Sequence, residues 1–180
     1  MTAEPSISPS ETATPASVLT RRHAGLDKIA ALAAALARTA RCGDVITLSG
    51  GLGAGKTTFA RFFIRSLAAR GEGDVDEEVP SPTFTLVQVY EREPAAVWHF
   101  DLYRITRPED AYELNIEEAF EAGISLIEWP ERLGALLPPD RLDVHLDMEP
   151  ADEEAASTRS LTLSAFGAWT PRLEEVCKDV

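Results

Sequence analysis

The chain has 180 residues, 44% hydrophobic and 26% charged, and its 30 acidic and 17 basic side chains leave a formal net charge of -13. That length supports one globular domain with a sizeable core and not comfortably two. The acidity argues against direct, unaided binding to nucleic acid. Lys and Arg on phosphate supply most non-specific affinity, and lysine occurs only at Lys28, Lys56 and Lys178.

The opening "MTAEPSISPSETATPAS" is rich in Ser, Thr and Pro and has no apolar run, so it reads as a disordered tail over residues 1–20 and not as a signal or transit peptide. Leu26, Ile29, Leu32, Ala33 and Leu36 recur at helical spacing and predict a helix from Leu26 to about Ala40. "DVITLSG", Asp44 to Gly50, is a β-branched run ending in glycine and reads as a buried strand. A glycine-rich loop follows, and then Phe59, Phe62, Phe63 and Leu67 mark the apolar stripe of a second helix. Gly71 to Pro82 is an acidic loop punctuated by Gly and Pro. "TFTLVQVY" and "AVWHFDLY" read as two strands joined by a turn around Glu93 and Pro94.

Arg107 to Phe120 reads as a helix with proline near its start, and Ile124 to Trp129 as another buried strand. "RLDVHLDM" and "SLTLSAF" form a late antiparallel pair around an acidic loop. Helices alternating with apolar strands give a three-layer α/β domain over residues 21–170, with residues 171–180 as a C-terminal tail. Cys42 and Cys177 make neither a disulfide framework nor a zinc spacing, and the longest apolar stretch is too short to cross a bilayer. The expectation is a soluble cytoplasmic protein without a membrane partner.

The loop Gly50-Gly51-Leu52-Gly53-Ala54-Gly55-Lys56-Thr57 fits the pattern G-x-x-x-x-G-K-S/T between a strand and an amphipathic helix. Glycines let successive backbone N–H groups converge on an anion, and the helix N-terminus adds its dipole. Lys56 can reach the β- and γ-phosphates of a nucleoside triphosphate, and the Thr57 hydroxyl can ligate Mg²⁺. The fold expected is therefore P-loop NTPase-like, with a mostly parallel central sheet and the late antiparallel strand pair.

Such a site needs a second acid at the end of a neighbouring strand. Glu128, closing "ISLIE", and Asp101, closing "AVWHFD", both qualify, and Glu128 has the cleaner form. An N-K-x-D guanine motif is absent, so ATP is favoured over GTP. Trp129 is either an adenine-stacking residue or a tryptophan of the core or rim. Ser81, Thr83 and Thr85 in "VPSPTFTLV" belong either to a proline-stiffened strand entry or to a switch-like loop that senses metal or γ-phosphate, and the residues favour the former. His23, His99 and His145 show no ligand spacing and read as structural.

Together, "GLGAGKTTFAR", "SPTFTLVQVY", "HFDLYR" and "LIEWPERLGALLP" closely resemble the bacterial TsaE family, small ATPases of tRNA threonylcarbamoyladenosine biosynthesis, over about Leu26 to Leu146 and more weakly to Phe166. The resemblance implies that Gly53, Ala54, Gly55, Lys56, Thr57 and Thr58 bind the phosphates and that Thr57 and Glu128 hold Mg²⁺. It implies that Asp101 acts with Lys56 and Glu128 near the γ-phosphate and that Trp129 lies near the base. It also makes the segment with Ser81 and Thr83 a switch-like loop. The implied partners are TsaB and TsaD, whose threonylcarbamoyl transfer to the adenosine beside the anticodon the ATP cycle resets. No stable tRNA contact of the chain's own is implied.

The chain departs from the family at Gly51, where an acid is usual, and at Asn115, where glycine is usual. The other readings of a P-loop chain are a small-molecule phosphotransferase and a nucleotide-dependent binding module. A phosphotransferase usually needs a lid that brings arginines over the phosphates. After Glu128 the arginines Arg132, Arg141, Arg159 and Arg172 are spread out with no such cluster, which counts against that reading.

Overall fold

In the computed structural model, which describes residues 14–68, 78–149 and 158–179, the short apolar runs pair into one seven-stranded sheet. In chain order the elements are β1 (Ser17–Ala24), α1 (Leu26–Thr39), β2 (Val45–Ser49), α2 (Lys56–Ser66), β3 (Val87–Tyr90), β4 (Val97–Asp101), α3 (Ile116–Ala122), β5 (Ile124–Glu128), β6 (Leu142–Met148), β7 (Arg159–Ala165) and α4 (Trp169–Asp179). Two 3-10 segments, Pro108–Leu114 and Pro130–Leu136, complete them. The strand order is β1-β7-β6-β2-β5-β4-β3.

The four central strands β6, β2, β5 and β4 run parallel. β1 on β7, β7 on β6 and β3 on β4 are antiparallel. The expected mostly parallel sheet is thus parallel only at its centre, and the late pair β6/β7 forms as expected. β6 belongs to both parts, because its other edge pairs in parallel with β2.

Alternation along the strands sorts side chains into two layers. Ile46, Leu48, Leu126 and Val97 pack with α1, α2 and α4 residues such as Leu36, Phe59, Phe63 and Leu173. Val45, Phe100 and Ile127 pack on the other face with Ile116, Ala119 and Leu133. Helices on both faces of the sheet give the three layers.

Four expectations change. Residues 17–20 belong to β1 and not to a tail: an edge strand needs only one backbone partner, which β7 supplies, while Leu19 and Ala24 turn inward. Residues 1–13 lie outside the described part, as do 69–77 and 150–157 in the two acidic loops. The C-terminal residues 171–179 lie in α4, whose Trp169, Arg172, Leu173 and Val176 are buried at helical spacing. The single helix expected over Arg107–Phe120 breaks at Asn115, which takes the left-handed φ 56, ψ 38 and separates a 3-10 segment from α3. Asparagine tolerates that conformation better than most residues. The strand expected from Thr83 begins only at Val87, because Pro82 to Leu86 close a turn through the Leu86 amide and the Pro82 carbonyl, 2.6 Å apart.

Candidate functional site

β2 leads directly into the glycine loop. Gly50 has φ 126, and a Cβ there would collide with the Leu146 carbonyl of β6. Gly55 has φ 109 at the N-cap of α2, where no side chain caps the helix. The first amides of α2 are therefore left to a ligand, and a helix N-terminus favours an anionic one.

Lys56, the first residue of α2, is 5% exposed. Its Nζ donates to the carbonyls of Gly50 and Gly51, both at 2.8 Å, and stands 3.9 Å from the centroid of the Trp129 ring. Burial lowers its pKa below the usual lysine value, against the opposing pull of Glu128, Asp101 and Glu131. The ammonium thus sits in a desolvated position ringed by carboxylates, poised for an anion.

The two candidate acids end neighbouring parallel strands and are register partners, Asp101 of β4 beside Glu128 of β5. Both are buried, at 4% and 3% exposure. Each shares its strand face with residues of the α2 layer, Val97 and Leu126 respectively, so both carboxylates turn toward the N-terminus of α2. Glu128 Oε2 accepts a hydrogen bond from the Thr57 hydroxyl at 3.1 Å, and its Oε1 lies 2.9 Å from His99 Nε2. Asp101 Oδ2 accepts from the Thr83 hydroxyl at 2.6 Å, and Oδ1 from the Tyr103 amide at 3.1 Å. Ser81 Oγ lies 2.8 Å from Thr83 Oγ1, so the turn after Pro80 joins Asp101 through two hydroxyls.

These residues line one cleft of about 270 Å³ outside the carboxyl ends of the parallel strands, where open α/β sheets bind ligands. Gly53, Gly55, Lys56, Thr57, Thr58, Ser81, Thr83, Asp101, Glu128 and Trp129 all reach it, whereas Ala54 is buried and does not line it. Among the described residues lining this cleft, Lys56 is the one cation. A second depression of about 220 Å³ shares Gly53, Gly55 and Thr58 and continues toward Leu26, Ile29 and Arg159. A larger cavity of about 390 Å³ near Arg21 and Lys28 lies apart from the glycine loop.

Two residues of this region read otherwise in the sequence. His99 reads as structural, yet strand alternation sets it on the same face as Asp101, two residues away. Arg159 reads as one of several scattered arginines, yet its Nε donates to the Ala54 carbonyl at 2.9 Å and braces the loop from β7. No local signal marks Arg159; the contact depends on how β7 pairs.

A family model described as "Threonylcarbamoyl adenosine biosynthesis protein TsaE" matches residues 24–159. The chain belongs to the TsaE family. It is 34% identical over 151 residues to the tRNA threonylcarbamoyladenosine biosynthesis protein TsaE of Bacillus subtilis, covering 83% of this chain and 85% of that one. It is 41% identical over 117 residues to the protein of the same name from Rickettsia felis, covering 65% of this chain. The match spans 66% of the length of that Rickettsia relative. The crystal structure of Bacillus subtilis YdiB superposes with a TM-score of 0.68 at 29% identity, covering 91% of this chain and 93% of that one. Among the described residues, no helix is long and apolar enough to cross a membrane.

Proposed function

We propose that this TsaE-family chain binds ATP with Mg²⁺ in the glycine-loop cleft and hydrolyses it in support of tRNA threonylcarbamoyladenosine modification. The observation that carries this reading is the convergence of Lys56, Thr57, Asp101 and Glu128 at one cleft beside an uncapped helix N-terminus. The donor set fits the ion: a hydroxyl and a carboxylate already 3.1 Å apart suit Mg²⁺, which takes one or two protein oxygens and completes its shell with phosphate and water. Bound there, Mg²⁺ would neutralise charge developing on the phosphates. Lys56 exchanges the Gly50 and Gly51 carbonyls for phosphate oxygens, and Asp101 orients the attacking water near the γ-phosphate.

This reading moves Trp129 away from the base. Its ring stands against Lys56, and a P-loop lysine meets the β/γ end of the nucleotide. The ribose and base then run past Thr58 into the depression beside Leu26, Ile29 and Arg159.

Among the described residues the cleft holds a single cation, and an arginine finger brought by a partner is worth about 10³–10⁵ in rate in related systems. The chain is accordingly slow alone and is accelerated by TsaB–TsaD in the cytoplasm. Its acidic surface docks where tRNA would otherwise sit. Steady-state phosphate release tests this with the chain alone, with the TsaB–TsaD pair, and with the pair plus excess tRNA. The expected order is low, high and reduced. Full activity alone, unaltered by either addition, would overturn it in favour of a phosphotransferase.

A further inference from the structure

His99 has no exposed surface and uses only one of its ring nitrogens. Nε2 lies 2.9 Å from Glu128 Oε1, while Nδ1 is enclosed and has no hydrogen-bond partner among the described residues. A buried polar group ordinarily finds partners for its polar atoms, so a purely architectural histidine would be expected to tie two elements together. This one serves a single carboxylate. An ionised carboxylate only accepts, so Nε2 is the donor in this contact.

We propose that His99 is a positioning residue for Glu128: it pins Oε1 so that Oε2 stays directed at Thr57 and the metal position. Both carboxylate oxygens are then committed, Oε1 to β4 and Oε2 to the first turn of α2. Without the imidazole, Oε1 lies buried with no donor, and the carboxylate turns away from Thr57 to find one. Outer-shell donors of this kind typically account for about 10–100-fold in metal affinity. The inference rests on the reading of Glu128 as a Mg²⁺ ligand.

The test compares two amides at position 99. His99→Gln carries its N–H₂ to about the place of Nε2, whereas His99→Asn stops near Nδ1, short of Glu128. Calorimetry follows binding of the non-hydrolysable analogue AMP-PNP across a Mg²⁺ titration and in EDTA, with thermal unfolding recorded in parallel. For His99→Asn the Mg²⁺ requirement should rise by about 10–100-fold, while metal-free affinity stays within about twofold. For His99→Gln it should return to near the parent value. Should His99→Asn not fold, His99→Leu takes its place as the variant without a donor. Equal Mg²⁺ requirements in folded Gln and donor-less variants would overturn the proposal. Glu128→Gln separates the two readings: if it leaves the Mg²⁺ requirement unchanged, the ligand assignment falls and His99 with it. If Glu128→Gln shifts the requirement and the donor-less variants do not, His99 alone is refuted.

Discussion

Arg172, in the last helix, forks onto Asp44 at the entrance to β2, with Nη1 2.6 Å from Oδ2 and Nη2 2.7 Å from Oδ1. Both residues are buried, and the guanidinium also donates to the Thr39 carbonyl and lies 3.9 Å from the Trp169 ring centroid. The C-terminal helix therefore locks the end of α1 and the start of the strand that feeds the glycine loop. Removing one partner of a buried pair strands the other charge and costs about 3–5 kcal/mol. Arg172→Ala should lower the melting temperature by roughly 6–20 °C for a chain of this size, and Asp44→Asn should do so comparably. Loss of only a degree or two in thermal unfolding would mean that α4 is dispensable.

The second prediction concerns Lys56. Its Nζ already makes two charge-assisted bonds to loop carbonyls, and burial disfavours its charge. Lys56→Ala removes a desolvated cation as well as its bonds, so the fold should be kept. Nucleotide affinity should fall at least about tenfold, as one bond to a charged group is worth about 1.5–3 kcal/mol. An unchanged ATP titration in the folded variant would remove the P-loop assignment.

How much of this was legible in the sequence varies by residue. The glycine loop, Asp101 and Glu128 can be read because each sits where a buried run meets a loop, a local and strongly patterned event. The structure brings them together in one cleft. β1 was not legible: "SVLTRRHA" mixes charge into an edge strand that pairs on one side only, and its stability comes from β7, more than a hundred residues away. α4 reads as polar because Arg172 occupies a core position, where its charge is tolerated only through the distant Asp44. Arg159 is the same case at the site itself, bonded to Ala54 across 105 residues. Contacts that depend on pairing between distant segments leave no periodic trace in either segment.

Gly50 and Gly51 make the third prediction a contrast. A side chain at Gly50 meets the Leu146 carbonyl and an unfavourable positive φ, so Gly50→Ala should disrupt the loop and lose nucleotide binding. At Gly51 a Cβ meets nothing within 4 Å. Gly51→Glu, which restores the acid usual at this position, should fold with a melting temperature within a few degrees of the parent and retain ATP affinity. Circular dichroism melts with nucleotide titrations check both, and a Gly50→Ala variant that binds ATP normally would contradict the assigned loop geometry.

The last prediction tests whether the turn carrying Ser81 and Thr83 acts through Asp101. Thr83 gives Asp101 Oδ2 a bond of 2.6 Å, and the Tyr103 amide holds Oδ1. The carboxylate is thus steered by a segment that precedes β3 and carries the exposed Phe84, whose ring has the Arg104 guanidinium 5.5 Å from its centroid. Asp101→Asn removes the charge proposed to orient water and should lower partner-stimulated turnover by about 10²–10⁴. Thr83→Val removes only the steering bond, worth about 1.5–3 kcal/mol to a charged acceptor. Its turnover should drop by roughly 10–100-fold, with nucleotide affinity unchanged. If the hydroxyl works through the carboxylate, the double variant should turn over no more slowly than Asp101→Asn alone, since residues in one network do not add. Additive losses would place Thr83 on a separate path. Wild-type turnover in Thr83→Val, measured with TsaB–TsaD present, would return the segment to a stiffened strand entry.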